Sequence, residues 1–157
     1  MERRADIIEH LDRNLDETIA FFRSLTPEQF GRQVYADSGR WTVRQLLAHF
    51  VSIEKSMHRL FNNMLAGGEG APADFDLERY NTTQVPRLDA WSTNELIMAF
   101  REGRIKTISI VRCMTEADLD RRGRHAFHGQ GTLERFVRWA YEHANLHVAD
   151  IRKALES

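Results

Sequence analysis

His143 and His147 stand four residues apart in the stretch W-A-Y-E-H-A-N-L-H-V-A-D-I, residues 139–151. On a helix that spacing puts two imidazoles one turn apart on one face, close enough to share a metal ion. Leu133, Phe136, Val137, Ala140, Ala144, Val148, Ile151 and Leu155 recur around them at helical spacing and predict a buried stripe. Both histidines fall on or beside it. Polar groups turned toward a core need partners, and a bound cation is one way to supply them. His49 is the third candidate ligand, on the inner side of an earlier helix with Thr42, Leu46, Ile53 and Leu60. Three imidazoles from two helices leave coordination positions open, the arrangement of catalytic rather than structural metals. Zinc, nickel, copper and iron all accept such ligands. Spacing alone does not bring His49 to the height of the other two. It equally admits three partly buried neutral histidines, bonded to one another or to carboxylates such as Asp150.

Four helices must position these groups. The first covers residues 4–24, with Ile7, Ile8, Leu11, Leu15, Ile19, Phe22 and Leu25 in period. Thr26-Pro27-Glu28-Gln29 predicts a capped extra turn, and Gly31 to Arg40 a loop. The second helix opens with W-T-V-R-Q-L, where Thr42 and Gln45 fit a capping box and Trp41 and Leu46 a hydrophobic staple. It ends near Ala66, before Gly67, Gly68 and Gly70. Residues 67–90 form the longest break, of a length usual for lids or crossovers, with Phe75, Leu77, Tyr80 and Val85 able to pin it. The third helix opens with W-S-T-N-E-L, a second box (Ser92, Glu95) and staple (Trp91, Leu96), and runs to Met114. Thr115 to Leu119 repeats the capped turn, a basic loop R-R-G-R-H-A-F-H-G-Q-G follows, and Thr132 caps a fourth helix reaching about Leu155. No strand-like alternation is visible. The predicted fold is therefore all-α: one domain over residues 1–157, a four-helix bundle with a long crossover between the second and third helices. That crossover would let the central pair run parallel.

Composition limits the partners. With 157 residues, 22 basic and 23 acidic side chains, the net charge is −1, which offers no general attraction to nucleic acid or to an anionic membrane. No apolar run approaches the roughly 20 residues that span a bilayer. The lone Cys113 cannot form an internal disulfide, and the charged N-terminus M-E-R-R-A-D-I-I-E-H lacks a signal-peptide pattern, so a reducing cytoplasm is expected.

W-T-V-R-Q-L-L-A-H at 41–49, M-T-E-A-D-L at 114–119 and H-A-N-L-H-V-A-D-I at 143–151, in this order, resemble the DinB/YfiT-like superfamily of metalloenzymes. The resemblance covers nearly the whole chain and implies a four-helix bundle, often dimeric. It makes His49, His143 and His147 the metal triad, usually with nickel or zinc. It also implies thiol chemistry, since relatives include transferases using bacillithiol or mycothiol and a mycothiol-dependent isomerase. Asp150 stands where some relatives carry another histidine.

Other residues are assigned by position. Asp150, three residues after His147, could orient that imidazole from behind or form a salt bridge. Glu54 and Glu142 read as solvated rather than as general bases, and His58 as lying off the inner face. His125 and His128, among Arg121, Arg122 and Arg124, read as a solvated basic loop more readily than as an anion site. Cys113 reads as a passive thiol. Three functions follow. The first is a metal enzyme acting on small molecules, a thiol S-transferase or hydrolase walled by residues 67–90 and 121–131, with a divalent metal and possibly a low-molecular-weight thiol. The second is a non-catalytic binder of a metal or small molecule. The third is a structural helical dimer.

Overall fold

In the computed structural model, which describes residues 2–37 and 40–157, the predicted stripes become four long helices. These are α1 (Arg3–Arg23), α3 (Val43–Leu65), α5 (Thr93–Arg112) and α6 (Leu133–Glu156). Two short helices, α2 (Pro27–Phe30) and α4 (Leu77–Gln84), lie in the connections. The boundaries follow from local chemistry. Thr26, Thr42 and Ser92 each accept from the N3 backbone while the N3 side chain reaches back, three complete capping boxes. Thr132 caps α6 by accepting from the Arg135 amide. Ser38 and Gly39, within the predicted 31–40 loop, and Met1 lie outside the described residues.

Contacts between side chains fix the helix directions. From the turn that precedes α5 and then along α5 itself, Arg44 of α3 donates to the Leu88 carbonyl at 2.8 Å, Glu54 pairs with Arg104 at 3.0 Å, and His58 meets Thr107 at 2.9 Å. The residue numbers rise together, so α3 and α5 are parallel. α1 runs antiparallel to α5 (Arg4 to Met114, Asn14 to Arg104) and parallel to α6 (Asp6 to Arg138, Asn14 to Asn145). A parallel neighbour requires the chain after α3 to travel back along its length, which residues 66–92 do.

That return is more ordered than a bare loop. Asp76 caps α4, Val85–Leu88 forms a 3-10 turn around Pro86, and the Tyr80 hydroxyl donates to the Ser52 carbonyl at 2.9 Å. The predicted absence of strands is corrected too: β1 (Arg122–His125) and β2 (Gly129–Thr132) form an antiparallel hairpin. R-G-R-H and G-Q-G-T carry no apolar alternation, so backbone pairing rather than a buried face defines them. The crossover adds a further rung, with Arg124 N–H donating to the Glu69 carbonyl and Ala71 N–H to the Arg124 carbonyl, both at 2.8 Å. Gly70 sits between them at φ +90°, and a Cβ there would lie 2.5 Å from the Arg124 carbonyl oxygen. The position therefore requires glycine.

One buried polar cluster locks the bundle. Arg104 is 1 % exposed and donates to Glu54 at 3.0 Å, to Asn14 at 2.8 Å and to the Ala140 carbonyl at 3.0 Å. It thereby joins α5 to α3, α1 and α6. Thr107 donates to Glu54 at 3.1 Å, and His58 bonds Thr107 and the Gly103 carbonyl. Glu54 and His58 are thus interior groups, contrary to their predicted solvated and off-face positions. A buried carboxylate is tolerable when it is paired and hydrogen-bonded, and here Glu54 Oε1 accepts from both Arg104 and Thr107.

Candidate metal centre

His49 lies two turns into α3, and its capping box and stripe turn it inward until it is 3 % exposed. α6 runs antiparallel to α3, its start joined to the hairpin that packs on Met64 at the far end of α3. That direction brings His143 and His147 level with His49. The Nε2 atoms of His49 and His143 are 3.1 Å apart, as are those of His143 and His147, and the three ligand atoms lie within 4.8 Å of one another. The heights that spacing left undetermined do match.

The protons of His147 can be placed from its neighbours. The Tyr35 hydroxyl lies 2.5 Å from an Asp150 oxygen and 2.8 Å from His147 Nδ1. A carboxylate only accepts, so Tyr35 gives its single proton to Asp150 and must accept from His147 Nδ1–H. His147 Nε2 is left with a lone pair aimed at the other two rings. Burial, with bonding to Asp150, raises the Tyr35 pKa and keeps the phenol protonated. Asp150 therefore acts on His147 through Tyr35 and not by direct contact.

All three imidazoles are held neutral. Burial first, then His147, pushes His49 down to about 3. Burial also drives His143 well below its ordinary value, and lowers His147 against the opposing charge of Asp150. His143 Nε2 faces two other Nε2 atoms and can hold at most one proton, so it cannot donate to both. Two nitrogens bound to one ion at about 2.0–2.1 Å, with angles between about 90° and 109°, lie roughly 3 Å apart. The His49–His143 and His143–His147 spacings therefore match two ligands on one divalent cation, and binding all three would draw His49 and His147 to within about 4.2 Å of each other. His49 Nδ1 is buried with no hydrogen-bond partner among the described residues, and its ring packs against Trp41 at 4.8 Å.

The histidines line a cavity of about 700 Å³. Its walls are the inner face of α3 (Ile53, Leu60), the crossover (Pro72, Phe75, Tyr80), the hairpin tip (His125, Phe127) and α6 (Trp139, Leu146). The basic-loop reading is corrected for His125, whose ring packs on Phe136 at 4.9 Å and lines this cavity. Burial, then His128 and Arg135, push it down to about 4. Glu142 and Cys113 are exposed. Tyr35 was not visible to sequence reasoning, because it lies in an aperiodic loop held by backbone bonds from Val34 and Tyr35 to Trp41.

The sequence matches the DinB superfamily over residues 4–151. This chain belongs to the DinB superfamily. Three solved structures resemble it. YfiT from Bacillus subtilis, described as a probable metal-dependent hydrolase with an unusual four-helix bundle topology, shares 18% identity at a TM-score of 0.79, covering 96% of this chain and 85% of that one. An uncharacterised protein from Escherichia coli UTI89 shares 13% at 0.77, covering 99% and 94%. The colibactin self-resistance protein ClbS, solved in complex with double-stranded DNA, shares 12% at 0.71, covering 97% and 94%. No match was found among curated proteins. The ClbS complex overturns the exclusion of nucleic acid drawn from net charge. A summed charge of −1 does not record where basic side chains cluster, and local clustering decides phosphate binding. Among the described residues of this DinB-superfamily chain, no helix is long and apolar enough to cross a membrane.

Proposed function

We propose that the chain is a metal-dependent enzyme acting on small molecules, with His49, His143 and His147 holding one divalent cation, nickel or zinc. The observation that carries this reading is the convergence of three neutral imidazole Nε2 atoms in the wall of a large apolar cavity. A cation there supplies Lewis acidity, lowering the pKa of a bound water or thiol toward neutrality. The likeness to YfiT supports hydrolysis, and the DinB resemblance supports transfer of a low-molecular-weight thiol to an electrophile.

The chain's own groups have separate tasks. Asp150 and Tyr35 hold His147 in the tautomer that presents Nε2. Trp41, Phe75 and Trp139 offer apolar surface to a substrate and exclude water from it. Arg59 is the only arginine or lysine among the described lining residues, available to a carboxylate on substrate or thiol.

A second reading, non-catalytic binding of a metal or small molecule, is favoured by one observation. Asp150 is the only carboxylate among the described lining residues, and Tyr35 engages it, so no free carboxylate is available there as a general base. Elemental analysis of untagged protein, beside His49→Ala and His143→Ala, tests the site. About one nickel or zinc per chain, lost in both variants with helical content intact, is expected. Full metal content in either variant removes that residue from the site. Ester and thiol-transfer assays on the loaded protein then separate enzyme from binder.

A further inference from the structure

The hairpin tip contains a histidine whose ring is oriented from the backbone. His125 Nδ1 accepts from the Phe127 amide at 2.9 Å and from the His128 amide at 3.2 Å. A nitrogen that accepts two N–H donors carries a lone pair, so the single proton of the neutral ring is on Nε2. Among the described residues, Nε2 makes no hydrogen bond, and it is not one of the buried unpartnered atoms. The ring lines the cavity. Its position is doubly fixed, because the preceding residue, Arg124, is bonded through both its N–H and its carbonyl to the crossover.

We infer that His125 is a substrate-binding residue whose Nε2–H donates a hydrogen bond to an acceptor atom on the aromatic or apolar portion of a bulky molecule held in the cavity. The surrounding chemistry sets the ligand class. Phe127 stacks on Trp139 at 5.5 Å with planes 6° apart, and Trp41 and Phe75 complete aromatic walls. A carbonyl or similar acceptor would satisfy the free Nε2–H, and a hydrocarbon would not. The inference deepens the proposed enzyme reading and rests on it only for the reaction that the bound molecule undergoes.

The test uses metal-free protein and two probes of similar shape, acetophenone and ethylbenzene, with affinities measured by ligand-observed NMR. His125→Asn keeps an acceptor for the two backbone amides but removes the donor at the Nε2 position, and His125→Gln places an amide donor there. Acetophenone should bind about fivefold more weakly to His125→Asn, with ethylbenzene unchanged and acetophenone restored by His125→Gln. Nitrogen-15 spectra should place the His125 proton on Nε2. Equal weakening of both probes, an unaffected acetophenone affinity, absence of binding by either probe, or a proton on Nδ1 overturns the assignment. None of these results depends on metal, so the assignment can fail while the stoichiometry of the three-histidine site stands.

Discussion

The Tyr35 hydroxyl meets His147 Nδ1 at 2.8 Å, across 112 residues of sequence. Its own proton goes to Asp150, so the phenol is an acceptor toward the ring and leaves His147 Nε2 deprotonated in the metal-binding direction.

Tyr35→Phe removes that acceptor without emptying the space around the ring. The expected result is a loss of roughly 10- to 100-fold in metal affinity, the usual effect of losing a partner behind a ligating histidine. Competition against a chelator of known affinity measures it, with circular dichroism as the folding control. Unchanged affinity would show that His147 holds its tautomer without Tyr35.

The metal-free protein should lose stability on mild acidification. His49, His143, His147 and His125 all have pKa values lowered by burial, His49 to about 3 and His125 to about 4. Below about pH 6.5 the unfolded chain binds protons that the folded one does not, so stability is present above that pH and falls as pH drops toward the folded values. Urea midpoints with chelator present should decrease from pH 7 to pH 5, a window in which carboxylates stay ionised. A midpoint independent of pH in this window would place these rings in water.

Arg104→Ala should destabilise the bundle by about 3–5 kcal/mol, because it leaves the Glu54 carboxylate, 2 % exposed, without its cation. Chemical denaturation reads this directly. Changing both residues to methionine should recover part of the loss, since the uncompensated charge goes as well. A cost below about 1 kcal/mol for Arg104→Ala would mean that water replaces the guanidinium.

Gly70→Ala places a Cβ 2.5 Å from the Arg124 carbonyl oxygen at a φ of +90°. The rung between crossover and hairpin should open at a cost of about 1–3 kcal/mol. Hydrogen exchange at the Arg124 and Ala71 amides should accelerate, while amides in the middle of α5 stay protected. Unchanged protection at Arg124 would contradict this.

Caps and stripes were legible at the residue level because they are local. Thr42 with Gln45 and Ser92 with Glu95 start their helices where the sequence pattern puts them. The spacing of His143 and His147 is likewise local, but their meeting with His49 depends on helix direction, which no window of sequence records. The hairpin was missed because four-residue strands rich in glycine and arginine bury no alternating face. Arg104 and His58 did leave a signal. Phe100, Arg104, Thr107 and Val111 keep one helical stripe, and Glu54, His58 and Phe61 keep another. Polar residues at those positions are part of the core, whereas in the sequence Glu54 reads as a solvated helix position and His58, by its angle from His49, as lying outside. Tyr35, in an aperiodic loop, left no such trace.

The facing nitrogens of His49 and His143 belong to residues 94 positions apart. No single helix contains the site, and in a growing polypeptide the residues of α3 are made long before those of α6 that complete it. A cation held there ties the early half to the late half, and its binding energy adds only to conformations in which α6 has docked. The ion would then report assembly as well as supply chemistry, and a shortage of metal would be felt first as a loosened C-terminal helix.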